Sequence, residues 1–274
     1  MRHEFPVVGP VRVHAGVRSS DLLVTASHVD LVTVDVEGGD DGSVDTVRVA
    51  LTGEVLRIEV PPSRPRLFSG GSSLRITVSV PEWSLLDVAS RSGDVTASGP
   101  LSSVAVKSGS GDVDLGHADE TDIDTGSGDV TVTSLGTGRV QTGSGDVSVR
   151  SASGLLRSRS GSGDVSLGDL TELEATTASG DLLVRELRGS ANVRTASGNV
   201  DVRRAVHGHL DAKTASGDVS VRVVEGTAVM LDCSSVSGRV TSSLEPGGEP
   251  GPDEPTLVLR ARTVSGNVRV QRTT

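Results

Sequence analysis

The chain has 274 residues, 34 of them Gly, and carries 26 basic against 36 acidic side chains for a net charge of −10. Tyr is absent and Phe5, Phe68 and Trp83 are its only aromatics, which disfavours the thick aromatic core of a compact α/β enzyme. The acidic balance favours solubility and argues against general binding to a phosphate backbone, so nucleic acid is not an expected partner.

Met-Arg-His-Glu-Phe-Pro opens the chain with no apolar run behind its basic residue. No window approaches the roughly 18 apolar residues of a membrane span. The expected location is the cytoplasm, or the cell surface if a leader has been trimmed. Cys233 is the single cysteine, which excludes an intrachain disulfide.

Residues 29–36, 44–51 and 55–60 read as strands. The stretch "EVPPSRPRLFSGGSS", 59–73, is a Pro/Gly/Ser loop that closes this region. Residues 1–72 are therefore expected to form an N-terminal β cap, with Phe5, Phe68 and Trp83 burying its junction with the remainder of the chain. Residues 73–274 form a repeat array.

The array is written, with small lapses, in Ser-Gly-(Asp/Asn)-Val, whose third residue falls at Asp94, Asp112, Asp129, Asp146, Asp164, Asp181, Asn199, Asp218, Arg239 and Asn267. The spacings are 18, 17, 17, 18, 17, 18, 19, 21 and 28 residues, obtained by subtracting neighbours. Four residues before the marker stands Ser or Thr in every copy, from Ser90 to Thr263. One residue after it stands Val, or Leu at Leu182. Charged residues such as Lys107, Arg159 and Lys213 interleave with these columns. Alternation with period two marks half-buried strands, two per repeat, on either side of a Ser-Gly-Asp corner. Gly frees the backbone at that corner and Asp hydrogen-bonds its own turn.

A coil of 17–18 residues with two strands and two bends is one turn of a solenoid. The expected fold is all-β: a parallel β-solenoid (β-helix) of about ten such coils, capped by the N-terminal β-strands. "SSLEPGGEPGPDEPT" explains the longest spacing as a loop insertion at 244–256. An end left uncapped would offer a route to a homo-oligomer.

"LRITVSVPEWSLLDVASRSGDVTA", 74–97, with the repeated Ser-Gly-Asp-Val behind it, resembles the bacterial putative-adhesin family of β-strand-repeat proteins, a domain of unknown function. The resemblance implies a right-handed parallel β-solenoid without established catalysis. It carries over no catalytic or ligand residues.

The aspartates of Asp94, Asp112, Asp129, Asp146, Asp164, Asp181 and Asp218, with Asn199 and Asn267, form a structural turn ladder. Calcium is the competing reading, but only one turn per coil carries Gly-Asp, whereas a calcium β-roll needs both. Asp112, Asp114, Asp119, Glu120, Asp122 and Asp124 with His117 form the densest acidic cluster. A polysaccharide-cleaving enzyme would need such carboxylates grouped in a groove, and their outward columns read as a solvated face. His207 and His209 flank Gly208 without a third ligand at a metal-site spacing, and Cys233 falls in a column of small buried residues. No catalytic residue, metal or cofactor is expected.

The surface feature that suggests binding is arginine. Arg185, Arg203 and Arg222 occupy equivalent places in successive coils, and Arg139, Arg157 and Arg159 form a second group. Such stripes suit carboxylate- or phosphate-bearing polymers. The sequence therefore predicts a non-catalytic, adhesin-like binding or scaffold protein for a protein or anionic polymer. A carbohydrate-active β-helix enzyme and an exported surface adhesin are the alternatives.

Overall fold

The computed structural model describes residues 1–38, 44–61, 74–245, 251 and 254–273. Phe68 and some residues of the 244–256 insertion lie outside them. Two compact units result, Met1–Ser134 and Leu135–Thr274, both built almost wholly of strand.

In the first unit, β1 (Arg2–Pro6), β2 (Arg12–Arg18), β3 (Asp21–Ser27), β4 (Leu31–Glu37), β5 (Arg48–Thr52), β6 (Val55–Glu59), β7 (Arg75–Pro81) and β8 (Leu85–Ser90) precede two long strands. These are β9 (Val95–Ser108) and β10 (Val113–Thr125). β2 lies parallel between β6 and β8, and β3 parallel between β7 and β9. β2 and β3 thus stack between β6 and β7 on one side and β8 and β9 on the other, so chain order and stacking order differ. β4 runs antiparallel on β7, β1 on β4, and β5 on β6. β4 and β5 pair with edges that parallel coils would otherwise leave bare, and β1 extends β4.

The chain enters the second unit along β11 (Val130–Thr142). There β12 (Val147–Ser160), β13 (Val165–Ser179), β14 (Leu182–Ser197) and β15 (Val200–Ser216) stack in parallel. Each long strand runs from one corner to the next. The two short strands expected per coil are joined at a bulge, as between Leu170 and Glu172, rather than separated by a turn.

β16 (Val219–Val223), β17 (Ala228–Ser237), β18 (Val240–Ser242), β19 (Thr256–Ser265) and β20 (Val268–Arg272) complete the unit. β15 pairs with β19 and β16 with β20, while β17 and β18 pair with the far edges of β19 and β20. The coil that comes last in the chain, 256–272, is therefore next to last in the stack. That crossing back accounts for the 28-residue step between Arg239 and Asn267.

The core is a thin stack of aliphatic ladders. Val147, Val165, Leu182, Val200, Val219 and Val268, one residue past each marker, are all buried. Small and branched side chains fill this space because the two walls of a coil stand close together. No aromatic is buried among the described residues. Phe5 is half-buried and stacks on His3, and Trp83 is 46% exposed, so neither seals a junction as expected.

Candidate polymer-binding face

The corners set every outward column, and they are held by bonds between coils. The N–H of Asp112 donates to Asp94 Oδ1 and that of Asp129 to Asp112 Oδ1, both at 2.9 Å. In the second unit Asp164 donates to Asp146, Asp181 to Asp164 and Asn199 to Asp181, each at 2.8 Å. Asp218 donates to Asn199 Oδ1 at 2.9 Å, Asn267 to Asp218 at 2.7 Å and Arg239 to Asn267 Oδ1 at 3.1 Å. Each side chain satisfies the amide of the neighbouring coil rather than its own turn. Arg239, which has no acceptor to offer, stands in the terminal coil of the stack, where no further amide follows.

Stacking order also exposes a ladder member that the Ser-Gly-Asp pattern does not reach. Asp94 N–H donates to Asp21 Oδ1 at 3.3 Å. Its signal in the sequence is Ser19-Ser20-Asp21-Leu22, with Ser20 in the place of Gly.

Gly at the corner answers to space more than to rotation. A Cβ on Gly111, Gly128, Gly163, Gly180 or Gly198 would overlap the carbonyl oxygen of the Gly in the adjacent coil. The Ser/Thr column supports the same corner: Ser108 Oγ accepts the Gly111 N–H at 3.0 Å, and Thr142 Oγ1 the Gly145 N–H at 2.9 Å.

On the strand before the corner, Arg159, Thr176, Arg194, Lys213 and Arg262 stand in register on consecutive coils. Adjacent coils lie about 4.8 Å apart, which puts Arg159 and Arg194 about 10 Å apart. Lys213 pairs with Asp211 at 2.7 Å and Arg262 with Asp232 at 2.9 Å. Arg159 and Arg194 are exposed and make no ion pair with the described residues. They line a shallow groove of about 690 Å³ with Thr176 and with Ala178, Ala196 and Ala215. Two residues along from the basic column, these three alanines, Val264 and Val236 form an exposed apolar ridge.

The arginines singled out from the sequence separate on this frame. Arg159 lies in the groove. Arg157 pairs with Glu174 at 2.9 Å, and Arg139 donates to Gln141 Oε1 at 2.6 Å. Arg185, Arg203 and Arg222 follow the corner on the other strand of each coil. Arg185 pairs with Asp169 at 2.8 Å, and Arg203 and Arg222 approach Asp201 at 3.6 and 3.5 Å. Arg185 has its own carboxylate, and Arg203 and Arg222 share the one of Asp201. Arg194, Lys213 and Arg262 join Arg159 instead: their common place five residues before the marker is visible in the sequence, and only the adjacency of Lys213 and Arg262 is not.

A model of the Toastrack DUF4097 family matches residues 15–271, nearly the whole chain. The chain belongs to the Toastrack family. A solved structure described as a putative adhesin from Parabacteroides merdae is similar, with a TM-score of 0.55 and 10% identity over 100% of this chain and 96% of that one. One described as a putative lipid binding protein from Parabacteroides distasonis gives a TM-score of 0.50 and 14% identity, again over 100% and 96%. At these identities the likeness is one of fold. No curated protein matches the chain.

None of the other candidates in this Toastrack chain lines the groove. Asp112, Asp114, Asp119, Glu120, Asp122 and Asp124 are exposed. His117 bonds Ser134 Oγ at 2.7 Å and approaches Asp119 at 3.6 Å. His207 and His209 stand opposite Arg188 and Ser190. Among the described residues no three His, Cys, Asp or Glu side chains come together as metal ligands would. Cys233 faces Ala261 in its expected column but is only half-buried, and that burial pushes its thiol pKa up. No helix among the described residues is long and apolar enough to cross a membrane.

Proposed function

We propose that this Toastrack solenoid is a non-catalytic binding protein for an extended anionic polymer, held along the second unit by the column from Arg159 to Arg262. The observation that carries this reading is Arg159 and Arg194, uncompensated and in register beside a groove. A polymer bearing carboxylates or phosphates at intervals of about 10 Å would meet both guanidinium groups at once, each as a forked donor. Lys213 and Arg262 would join by exchanging their exposed intramolecular pairs, which are worth little in water. The alanine ridge offers the polymer backbone a flat apolar contact.

Solvated carboxylates and the absence of a lined catalytic cleft in the described residues support binding over catalysis. The adhesin description of the Parabacteroides merdae protein points the same way. Titration calorimetry with polygalacturonate and with a poly(glycerol phosphate) tests the proposal. Binding to at least one is expected, with Arg159→Glu/Arg194→Glu weakening it at least about tenfold and Arg222→Glu changing it little. Equal loss in both variants, or no binding, would overturn it.

A further inference from the structure

The end of the second unit is unfinished, and the structure indicates what finishes it. In register, Leu231 faces Leu259 and Val240 faces Val268. Leu259 and Val268 are fully buried, whereas Leu231 is 38% and Val240 43% exposed. Met230 at 69% and Val236 at 82% extend the apolar surface. Among the described residues no strand pairs with the far edges of β17 and β18. Core columns and a row of backbone donors and acceptors are thus open on one side only.

We propose that this end binds the same end of a second copy of the chain, in a closed, two-fold, head-to-head dimer. Arg239 selects the geometry. Every parallel addition in this stack draws its marker amide onto an Asp or Asn Oδ1 of the coil before it, and Arg239 supplies no such acceptor. Another coil added in the same direction would leave that amide without its partner. Antiparallel addition does not need it.

With Asp232 of the two copies opposed at the axis, paired residue numbers sum to 464, so inward Leu231 lies opposite inward Cys233 and the two cores share one face. Carried past the ends of β17, the same register sets Glu225 of one copy opposite Arg239 of the other, twice per dimer. Glu225 and Arg239 are exposed, and within one chain neither has an ion pair among the described residues. Near the axis, Asp232 of both copies come together, each already neutralised by Arg260 and Arg262. The two apolar ends are buried against each other, and an isologous contact closes at two copies.

Its test is separable from the polymer reading: Glu225 and Arg239 lie outside the groove and the basic column, while Arg262 and Val236 belong to both surfaces. Sedimentation equilibrium across a range of concentrations tests the dimer. The wild type is expected at twice 28.0 kDa. Glu225→Arg and Arg239→Glu should each raise the dimer dissociation constant about tenfold or more, and the double exchange should restore it. Both positions are exposed, so an unchanged thermal transition checks folding. A monomer at every concentration, an open-ended polymer, or a double exchange no better than the single ones would overturn the proposal.

Discussion

At the residue scale, a corner of this solenoid rests on one carboxylate oxygen and one missing Cβ. Asp164 Oδ1 accepts the Asp181 amide, so Asp164→Ala leaves that donor to water and should cost about 1 kcal/mol in urea unfolding. Asp164→Asn keeps an acceptor in place, as Asn199 does naturally, and should cost visibly less. Gly163→Ala drives a methyl into the Gly145 carbonyl and must push the adjacent coils apart, a loss of about 1–3 kcal/mol. Gly9→Ala meets nothing nearby and should be close to neutral, which makes it the matched control. If the two glycine variants unfold alike, close packing of the corners is not what selects Gly.

At the scale of the element, a coil is stable because it has a neighbour on each side. Leu173 is 2% exposed within the stack and Leu231 is 38% exposed in the terminal coil. Leu173→Ala should therefore cost about 2–5 kcal/mol by opening a cavity, and Leu231→Ala much less, both read as shifts in the denaturant midpoint. Cys233 belongs to the same terminal coil. Burial favours its neutral thiol, so less thiolate is present at neutral pH than for a free cysteine. Its reaction with a disulfide reagent should be slower than that of a small thiol at pH 7 and accelerate as pH rises through its raised pKa. A rate matching the free thiol would show that the neighbouring coil does not shield the sulfur.

At the scale of the whole molecule, electrostatics oppose each other. The chain carries −10, which repels a polyanion at long range, while the basic column attracts one locally. Added salt screens both, but the contact at the column is shorter than the Debye length of about 8 Å at physiological ionic strength, and repulsion from the rest acts over more than that. Moderate salt is therefore expected to weaken polymer binding less steeply than four cationic contacts on an otherwise neutral surface would. A titration of affinity against ionic strength, in wild type and in Arg159→Glu/Arg194→Glu, separates the two terms. A salt slope unchanged by the double substitution would remove these arginines from the interface.

The sequence by itself determined the period, the inward and outward columns and hence the solenoid, because each coil offers the next the same side chains it receives. It showed Arg159 and Arg194 with the same parity, whereas Ser19-Ser20-Asp21-Leu22, with Ser for Gly, falls outside its Ser-Gly-Asp pattern. Only the tertiary structure decided the stacking order at both units' out-of-sequence coils. Parallel strands pair through backbone groups common to every residue, so nothing local distinguishes a coil that follows its predecessor from one inserted before it. That order placed Arg239 at an end and Asn267 inside, tied Asp21 to Asp94, and set Arg262 beside Lys213. Ion pairs between coils depend on which coils are neighbours, a property of the stack and of no single stretch of chain.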